Sequence, residues 1–158
     1  MADLNSFHAR WTPRLLSVLR IIIAFLFMAH GAQKLFGFPA APPPTPEQKA
    51  KQECEQKCAQ PQPQPQQQQQ SGMPPLILVA GVLEFFGGLF VLLGLFTRPV
   101  AFILSGLMAV AYFMAHAPGG FWPVINKGET AVLYCFVFLF LSVAGSGEWS
   151  LDRILRRS

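Results

Sequence analysis

Residues 75–96 read PLILVAGVLEFFGGLFVLLGLF, and this stretch decides the fold class. Its only ionisable residue is Glu84, and nearly all of the others are apolar. A helix needs about 20 mainly apolar residues to cross the hydrocarbon core of a bilayer. Inside lipid every backbone N–H and C=O must find its partner within the protein, which a helix provides. The stretch therefore predicts a membrane-spanning helix.

Three further apolar runs accompany this one, over residues 15–38, 99–117 and 130–146. The whole chain is 52% apolar and 13% charged, whereas soluble domains carry about 25% charged residues. We therefore predict an all-α protein with one domain, residues 1–158, folded as a four-transmembrane-helix bundle in up-down-up-down order. The lipid bilayer is its expected partner. No basic stripe interleaved with aromatic residues indicates nucleic-acid binding.

The first run also has features of a cleaved signal peptide. Basic residues from Arg10 to Arg20 precede the apolar stretch Ile21–Ala29, as in such peptides. The run stays apolar through Phe38, however, and no clear small-x-small cleavage site is present. We favour a retained helix, in which the long side chains of Arg20 and Lys34 can snorkel to an interface.

The basic residues sort by type around the four predicted helices. Every arginine falls on one side of a four-span arrangement, and every lysine falls on the other. The arginines are Arg10, Arg14, Arg20, Arg98, Arg153, Arg156 and Arg157, and the lysines are Lys34, Lys49, Lys51, Lys57 and Lys127. The arginines lie in short segments next to the membrane, where the positive-inside rule has most force. Both termini are therefore predicted to be cytoplasmic.

Residues 39–72 are predicted to form an external loop that is rich in Pro and Gln. Such a composition cannot bury enough apolar surface to fold by itself. Within the loop, Thr45 and Gln48 have the spacing of a helix capping box. This spacing predicts a short helix over residues 46–59.

Two cysteines, Cys54 and Cys58, lie on this short helix and share one of its faces. On the external side of the membrane they would meet an oxidising compartment, where disulfides persist. The alternatives are a disulfide within or between chains, a redox pair, or two unused thiols. Two cysteines are too few for a closed zinc site, and no metal site is predicted. Cys135, inside the fourth run, is interpreted as a small packing residue.

Ionisable residues inside a membrane are costly and often functional, and Glu84 is the clearest case. Gly81 and Gly88 share its helical face and allow another helix to approach closely. We expect Glu84 to point inward and, from its depth at ~1.5 Å per residue, to contact His30. The predicted polar cluster in the outer half of the bundle consists of His30, Gln33, Lys34, Glu84, Tyr112, His116 and Glu129.

This cluster is either a structural lock between helices or a functional site, and the sequence leaves both interpretations open. Interhelical hydrogen bonds in membranes contribute less than about 2 kcal/mol each, but several can fix the register of the helices. His30 and His116 are too little evidence for a bis-histidine haem, which we do not predict. No phosphate-binding loop, nucleophile elbow or metal motif is present. The catalytic residues, if the chain is an enzyme, stay unknown.

Short motifs recur at the ends and centres of the apolar runs. They are HGAQKLFGF (residues 30–38), GVLEFFGG (81–88), GLFTRP (94–99), MAVAYFMAH (108–116), FWP (121–123), NKGE (126–129) and SLD (150–152). In this order and spacing they resemble the DoxX family of small bacterial membrane proteins. The resemblance covers nearly the whole chain except residues 40–72. The role of the Pro/Gln-rich loop therefore cannot be taken from the family.

The resemblance implies a four-helix protein of the bacterial inner membrane. Some members of the family are subunits of thiosulfate–quinone oxidoreductases, and others belong to membrane oxidoreductase complexes that handle oxidative stress. It implies no settled set of catalytic residues. We therefore predict a membrane subunit of a redox system, with quinone as candidate cofactor and oxidoreductase proteins as candidate partners. The alternatives are a non-catalytic scaffold or assembly protein and a small transporter, and a bundle this small could form a homo-oligomer.

Overall fold

The computed structural model describes residues 2–40, 46 and 75–155, and the regular structure of these residues is entirely helical. Three of the helices are long and apolar enough to cross a membrane, and a further apolar helix is shorter. Almost all of the predicted external loop 39–72 lies outside the described residues. So do Cys54, Cys58 and nearly all of the short helix predicted over residues 46–59.

Six α-helices make up the described chain. They are α1 (Ala2–Phe36), α2 (Pro75–Leu93), α3 (Thr97–Ala111), α4 (Pro123–Asn126), α5 (Glu129–Ala144) and α6 (Leu151–Leu155). Helix α3 continues as a π-helical turn, Tyr112–His116, and then as a 3₁₀ turn, Ala117–Gly119. The four apolar helices, called the long helices below, are α1, α2, α3 with its extension, and the somewhat shorter α5.

Neighbouring long helices run in opposite directions. Helix α1 lies along α2, with Gly31 beside Phe85 and Met28 beside Gly88. Residue numbers rise along α1 as they fall along α2, so the two helices are antiparallel. Helix α3 is antiparallel to α5 in the same way. Arg98 lies beside Gly145, Ser105 donates to the carbonyl of Cys135 at 2.8 Å, and Tyr112 lies beside Gly128, so residue numbers rise along α3 as they fall along α5.

The core lies where α1, α3 and α5 meet the inner face of α2. Phe27 of α1 is buried against Phe138 of α5, with ring centroids 4.8 Å apart. Leu104 of α3 and Val91 of α2 are equally buried in the same cluster. Cys135 packs against this core as a partly buried side chain, which agrees with the packing role expected for it.

Large apolar side chains cover the outside of the long helices. Phe25, Phe86, Phe102 and Phe136, one from each helix, are all at least half exposed. Soluble proteins rarely expose contiguous apolar patches of this extent. The outer surface is therefore suited to lipid.

The turn between α2 and α3 differs from the sequence prediction, in which the second helix ended at residue 96 and the third began at residue 99. Helix α2 ends at Leu93 and helix α3 begins at Thr97. Gly94 ends the run after Leu93 with φ +70°, and a Cβ at this position would lie 2.6 Å from the Cβ of Ser150. Asp152 then accepts hydrogen bonds from the N–H groups of Phe96 (2.8 Å) and Thr97 (3.1 Å). Capping by a carboxylate satisfies the free N–H groups of a first turn. Helix α3 therefore begins at Thr97.

Helix α1 begins at Ala2 instead of residue 15 and ends at Phe36 instead of 38, and Pro13 lies inside it. Proline removes one helical hydrogen bond. The bond lost is the one to the carbonyl of Ala9, four residues earlier. The carbonyl of Pro13 itself accepts from the Ser17 hydroxyl (2.9 Å) and from the N–H of Glu148 (3.1 Å). The segment after α5 is thereby tied to the first half of α1.

Candidate functional site

An ion pair between Lys34 and Glu84 joins α1 to α2. The Lys34 Nζ lies 2.5 Å from Oε1 of Glu84. Glu84 is 2% exposed, which agrees with the prediction that it points into the bundle. The Lys34 side chain is 38% exposed. The expected partner, His30, was the wrong one. Lys34 lies one turn further along α1, and its long flexible stem carries the ammonium back to the carboxylate.

Glycines on both helices make this ion pair geometrically possible. A Cβ on Gly31 would lie 2.5 Å from the backbone N of Phe85, and a Cβ on Gly81 would lie 3.2 Å from the Cβ of Lys34. Small residues at such positions let two helix backbones approach closely. The close contact brings Glu84 within reach of Lys34 while excluding it from the surface.

The second carboxylate oxygen of Glu84, Oε2, is buried and has no hydrogen-bond partner among the described residues. Buried polar atoms in proteins are nearly always hydrogen-bonded. An unpartnered carboxylate oxygen in an apolar environment is therefore a strong acceptor that lacks a donor. The hydroxyl oxygen of Thr97 is the other buried side-chain oxygen that has no hydrogen-bond partner among the described residues, but it carries no charge.

His30 lies one turn before Lys34 and contacts a third helix. Its ring meets the ring of Tyr134 on α5 edge to face, with centroids 5.9 Å apart. Tyr134 is itself buried and packs on Phe27 at 5.1 Å. One face of α1 thus contacts both Glu84 on α2, through Lys34, and Tyr134 on α5, through His30. Tyr134 was not identified from the sequence, because a tyrosine in an apolar run gives no signal of which helix it faces.

Tyr112 and His116 belong to a separate network centred on Asn126. The Tyr112 hydroxyl donates to the carbonyl of Phe121, and Nδ1 of His116 lies 3.2 Å from the carbonyl of Asn126. Asn126 Nδ2 donates to the carbonyl of Gly120 at 2.6 Å. These bonds hold the connection between α3 and α5. Asn126 lies in the quoted NKGE motif, but nothing in that motif marked its side chain as a hub.

The predicted polar cluster is therefore divided in two. Gln33 is exposed, with its amide 3.5 Å from the carbonyl of Pro39. Glu129 is exposed at the first residue of α5 and joins neither group in any described contact. Within the described part of the chain, no group of three or more His, Cys, Asp or Glu side chains is arranged to hold a metal ion.

Arg20 makes a second buried polar centre at the opposite end of α1. It is 1% exposed, so its side chain does not extend to an interface, contrary to the sequence prediction. Its guanidinium donates to the carbonyls of Val91 (2.5 Å) and Leu92 (2.6 Å) at the end of α2. It also donates to Ser146 (2.9 Å) and Trp149 in the segment after α5. Arg20 thereby gives a charged donor to two of the last carbonyls of α2, where helical donors run out.

Comparison with known proteins places the chain among bacterial membrane proteins. The family model described as DoxX matches residues 15–117. An uncharacterized protein of Haemophilus influenzae is 37% identical over 146 residues, covering 90% of this chain and 92% of that protein. An uncharacterized membrane protein of Mycobacterium tuberculosis is 28% identical over 95% of this chain and 86% of its own length.

The inner membrane protein YqjF of Escherichia coli is 31% identical over 93 residues, which are 54% of this chain and 63% of that protein. No solved structure shows significant similarity. The family match includes Arg20, Lys34 and Glu84. The chain belongs to the DoxX family.

Proposed function

We propose that this protein is a membrane subunit of a redox system and that a quinone binds beside Glu84. In this proposal the chain crosses the inner membrane four times, with both termini in the cytoplasm. The observation that carries the proposal is the buried, unpartnered Oε2 of Glu84. A reduced quinone presents ring hydroxyl groups, and one of these would supply the missing donor.

The surroundings of Glu84 support a polar aromatic ligand. The ion pair with Lys34 fixes Oε1 and leaves Oε2 as the free acceptor. A hydrogen bond to a charged acceptor is about twice as strong as one between neutral groups, and exclusion of water strengthens it further. His30, one turn before Lys34 on α1, is exposed and can offer part of its ring to a planar head group.

The test is quinone retention by the purified protein. Wild type, Glu84→Gln and His30→Ala are purified in mild detergent, and bound quinone is quantified by optical spectroscopy and mass spectrometry. Glu84→Gln removes the charged acceptor, so we expect at least about tenfold less quinone, as befits the loss of one hydrogen bond to a charged group. His30→Ala is expected to lower retention as well.

The matched control is Glu148→Gln, the same chemical change at the opposite end of the helices. Glu148 forms only partly exposed ion pairs with Arg14 and Arg153, which contribute little to stability. This variant is expected to retain quinone like the wild type. Equal retention by wild type, Glu84→Gln and Glu148→Gln would contradict the proposal.

A non-catalytic scaffold is the second candidate, and the network around Asn126 favours it. That network joins Tyr112 and His116 to the connection before α5, so these two predicted cluster residues stabilise the fold. For a scaffold, Glu84→Gln would lower the free energy of unfolding without changing the amount of quinone retained. Co-purification would then identify a protein partner that is lost from unstable variants.

A further inference from the structure

A cleft of about 390 Å³ opens at the end of the helices opposite Lys34 and Glu84. Leu16 of α1 and Ala144 of α5 supply apolar parts of its lining. Arg98, at the second residue of α3, and Arg153, on α6, supply its positive charge. The cleft therefore combines an apolar wall with two guanidinium groups.

Arg98 has no ion pair or hydrogen bond with any described residue. It is exposed, and its guanidinium lies over Gly145, where a Cβ would come within 3.3 Å of the arginine Nε. The absence of a side chain at Gly145 leaves this position to the arginine. An arginine held at a cleft but lacking an acidic partner is available to an anion.

Acidic groups near the cleft are already engaged. Asp152 also lines it, but its two oxygens accept hydrogen bonds from backbone N–H groups at the start of α3. Glu148 lies 3.1 Å from Arg14 and 3.5 Å from Arg153, so it is shared between two arginines. With Arg98 included, three arginines face two carboxylates, and the region keeps a net positive charge.

We propose that this cleft binds the phosphate head group of an anionic membrane phospholipid, with Arg98 and Arg153 as its phosphate ligands. Guanidinium groups match the geometry of phosphate oxygens and bind them in a bidentate manner. Basic pockets between membrane helices on the cytoplasmic side are suited to anionic head groups. The proposal is independent of the quinone site and concerns different residues.

The surface beside the cleft favours a lipid over free phosphate. Phe102 lies one helical turn from Arg98 on the same face of α3 and is 65% exposed. Val143, next to Ala144 at the end of α5, is 75% exposed. An acyl chain can lie along this apolar surface while the phosphate occupies the cleft, whereas free phosphate would make no use of it.

The experiment is a lipid titration of the detergent-purified full-length protein, followed by native mass spectrometry. Phosphatidylglycerol and phosphatidylcholine are compared for wild type, Arg98→Gln, Arg98→Lys and Arg10→Gln. We expect Arg98→Gln to bind phosphatidylglycerol about fivefold more weakly, which is the contribution of one basic residue near an anionic surface. Arg98→Lys keeps the charge and is expected to retain most of the affinity.

Arg10→Gln is the matched control, since Arg10 is exposed on α1 and does not line the cleft. It is expected to bind like the wild type. An equal loss in Arg10→Gln and Arg98→Gln would assign the binding to diffuse surface charge and overturn the proposal. No preference for phosphatidylglycerol, or its full displacement by inorganic phosphate, would also overturn it. Circular dichroism confirms that each variant is folded.

Discussion

At the scale of single residues, Arg20 makes more hydrogen bonds between separate segments than any other residue in the described part of the chain. Its buried guanidinium donates to four backbone carbonyls, two at the end of α2 and two in the segment after α5. The segment after α5 is also bound through the N–H of Trp149, which donates to the Ser17 hydroxyl at 3.0 Å. Arg20 is thus a structural centre that fixes where three parts of the chain meet.

Replacing Arg20 by methionine should destabilise the protein by roughly 3 kcal/mol or more, because buried carbonyls lose hydrogen bonds to a charged donor. Arg20→Lys should fall between this variant and the wild type, because an ammonium cannot reproduce the planar fork of a guanidinium. Unfolding in mixed micelles, followed by circular dichroism, measures the difference. Arg10→Met, at an exposed position of the same helix, is the control. If both methionine variants are equally stable, the role assigned to Arg20 is wrong.

At the scale of the elements, the close contact of α1 and α2 decides whether Lys34 reaches Glu84. Gly31 permits this contact because its Cα faces the backbone of Phe85. Gly106, on the exposed face of α3, has open space where a Cβ would stand. The two glycines therefore respond oppositely to the same substitution.

We expect Gly31→Ala to destabilise the protein by about 1–3 kcal/mol, since an added methyl group in a tight contact forces the backbones apart. Gly106→Ala should be neutral or stabilising by up to about 1 kcal/mol, because alanine is the better helix former. Parallel unfolding curves of the two variants provide the measurement. A stable Gly31→Ala protein would show that the α1–α2 contact is looser than described.

At the scale of the whole molecule, the predicted orientation in the membrane rests on two features. These are the alternating directions of the helices and the positions of the arginine and lysine residues. Successive long helices are antiparallel, so the ends of α1 and α3 that carry Arg14 and Arg98 lie on one side, together with the segment after α5. Lys34 lies at the other end of α1. The positive-inside rule then predicts cytoplasmic termini and an external loop that contains Cys54 and Cys58.

Thiol labelling tests this orientation. After treatment with a membrane-impermeant reductant, an impermeant maleimide should label Cys54 and Cys58 of the wild-type protein in intact spheroplasts. A Cys54→Ser, Cys58→Ser variant that carries Ser158→Cys should be labelled only after the membrane is permeabilised, because its new thiol would lie in the cytoplasm. The reverse labelling pattern would invert the proposed topology.

The sequence by itself determined the features that depend on local pattern. Hydropathy predicted the apolar helices, because the lipid-like exterior and the core both need apolar side chains over long continuous runs. The period of the helix placed Gly81, Glu84 and Gly88 on one face, and this face does meet α1. The burial of Glu84 followed from the same argument. The membrane class and the DoxX motifs needed no tertiary information.

Only the tertiary structure decided which side chains meet. It paired Glu84 with Lys34 instead of His30, set His30 against Tyr134, buried Arg20 and brought Asp152 to the start of α3. These contacts depend on how far each helix is rotated about its axis and shifted along its neighbour. Apolar runs specify neither quantity, because almost any rotation still presents apolar surface to both core and lipid. Close glycine contacts and polar bonds between distant segments fix both.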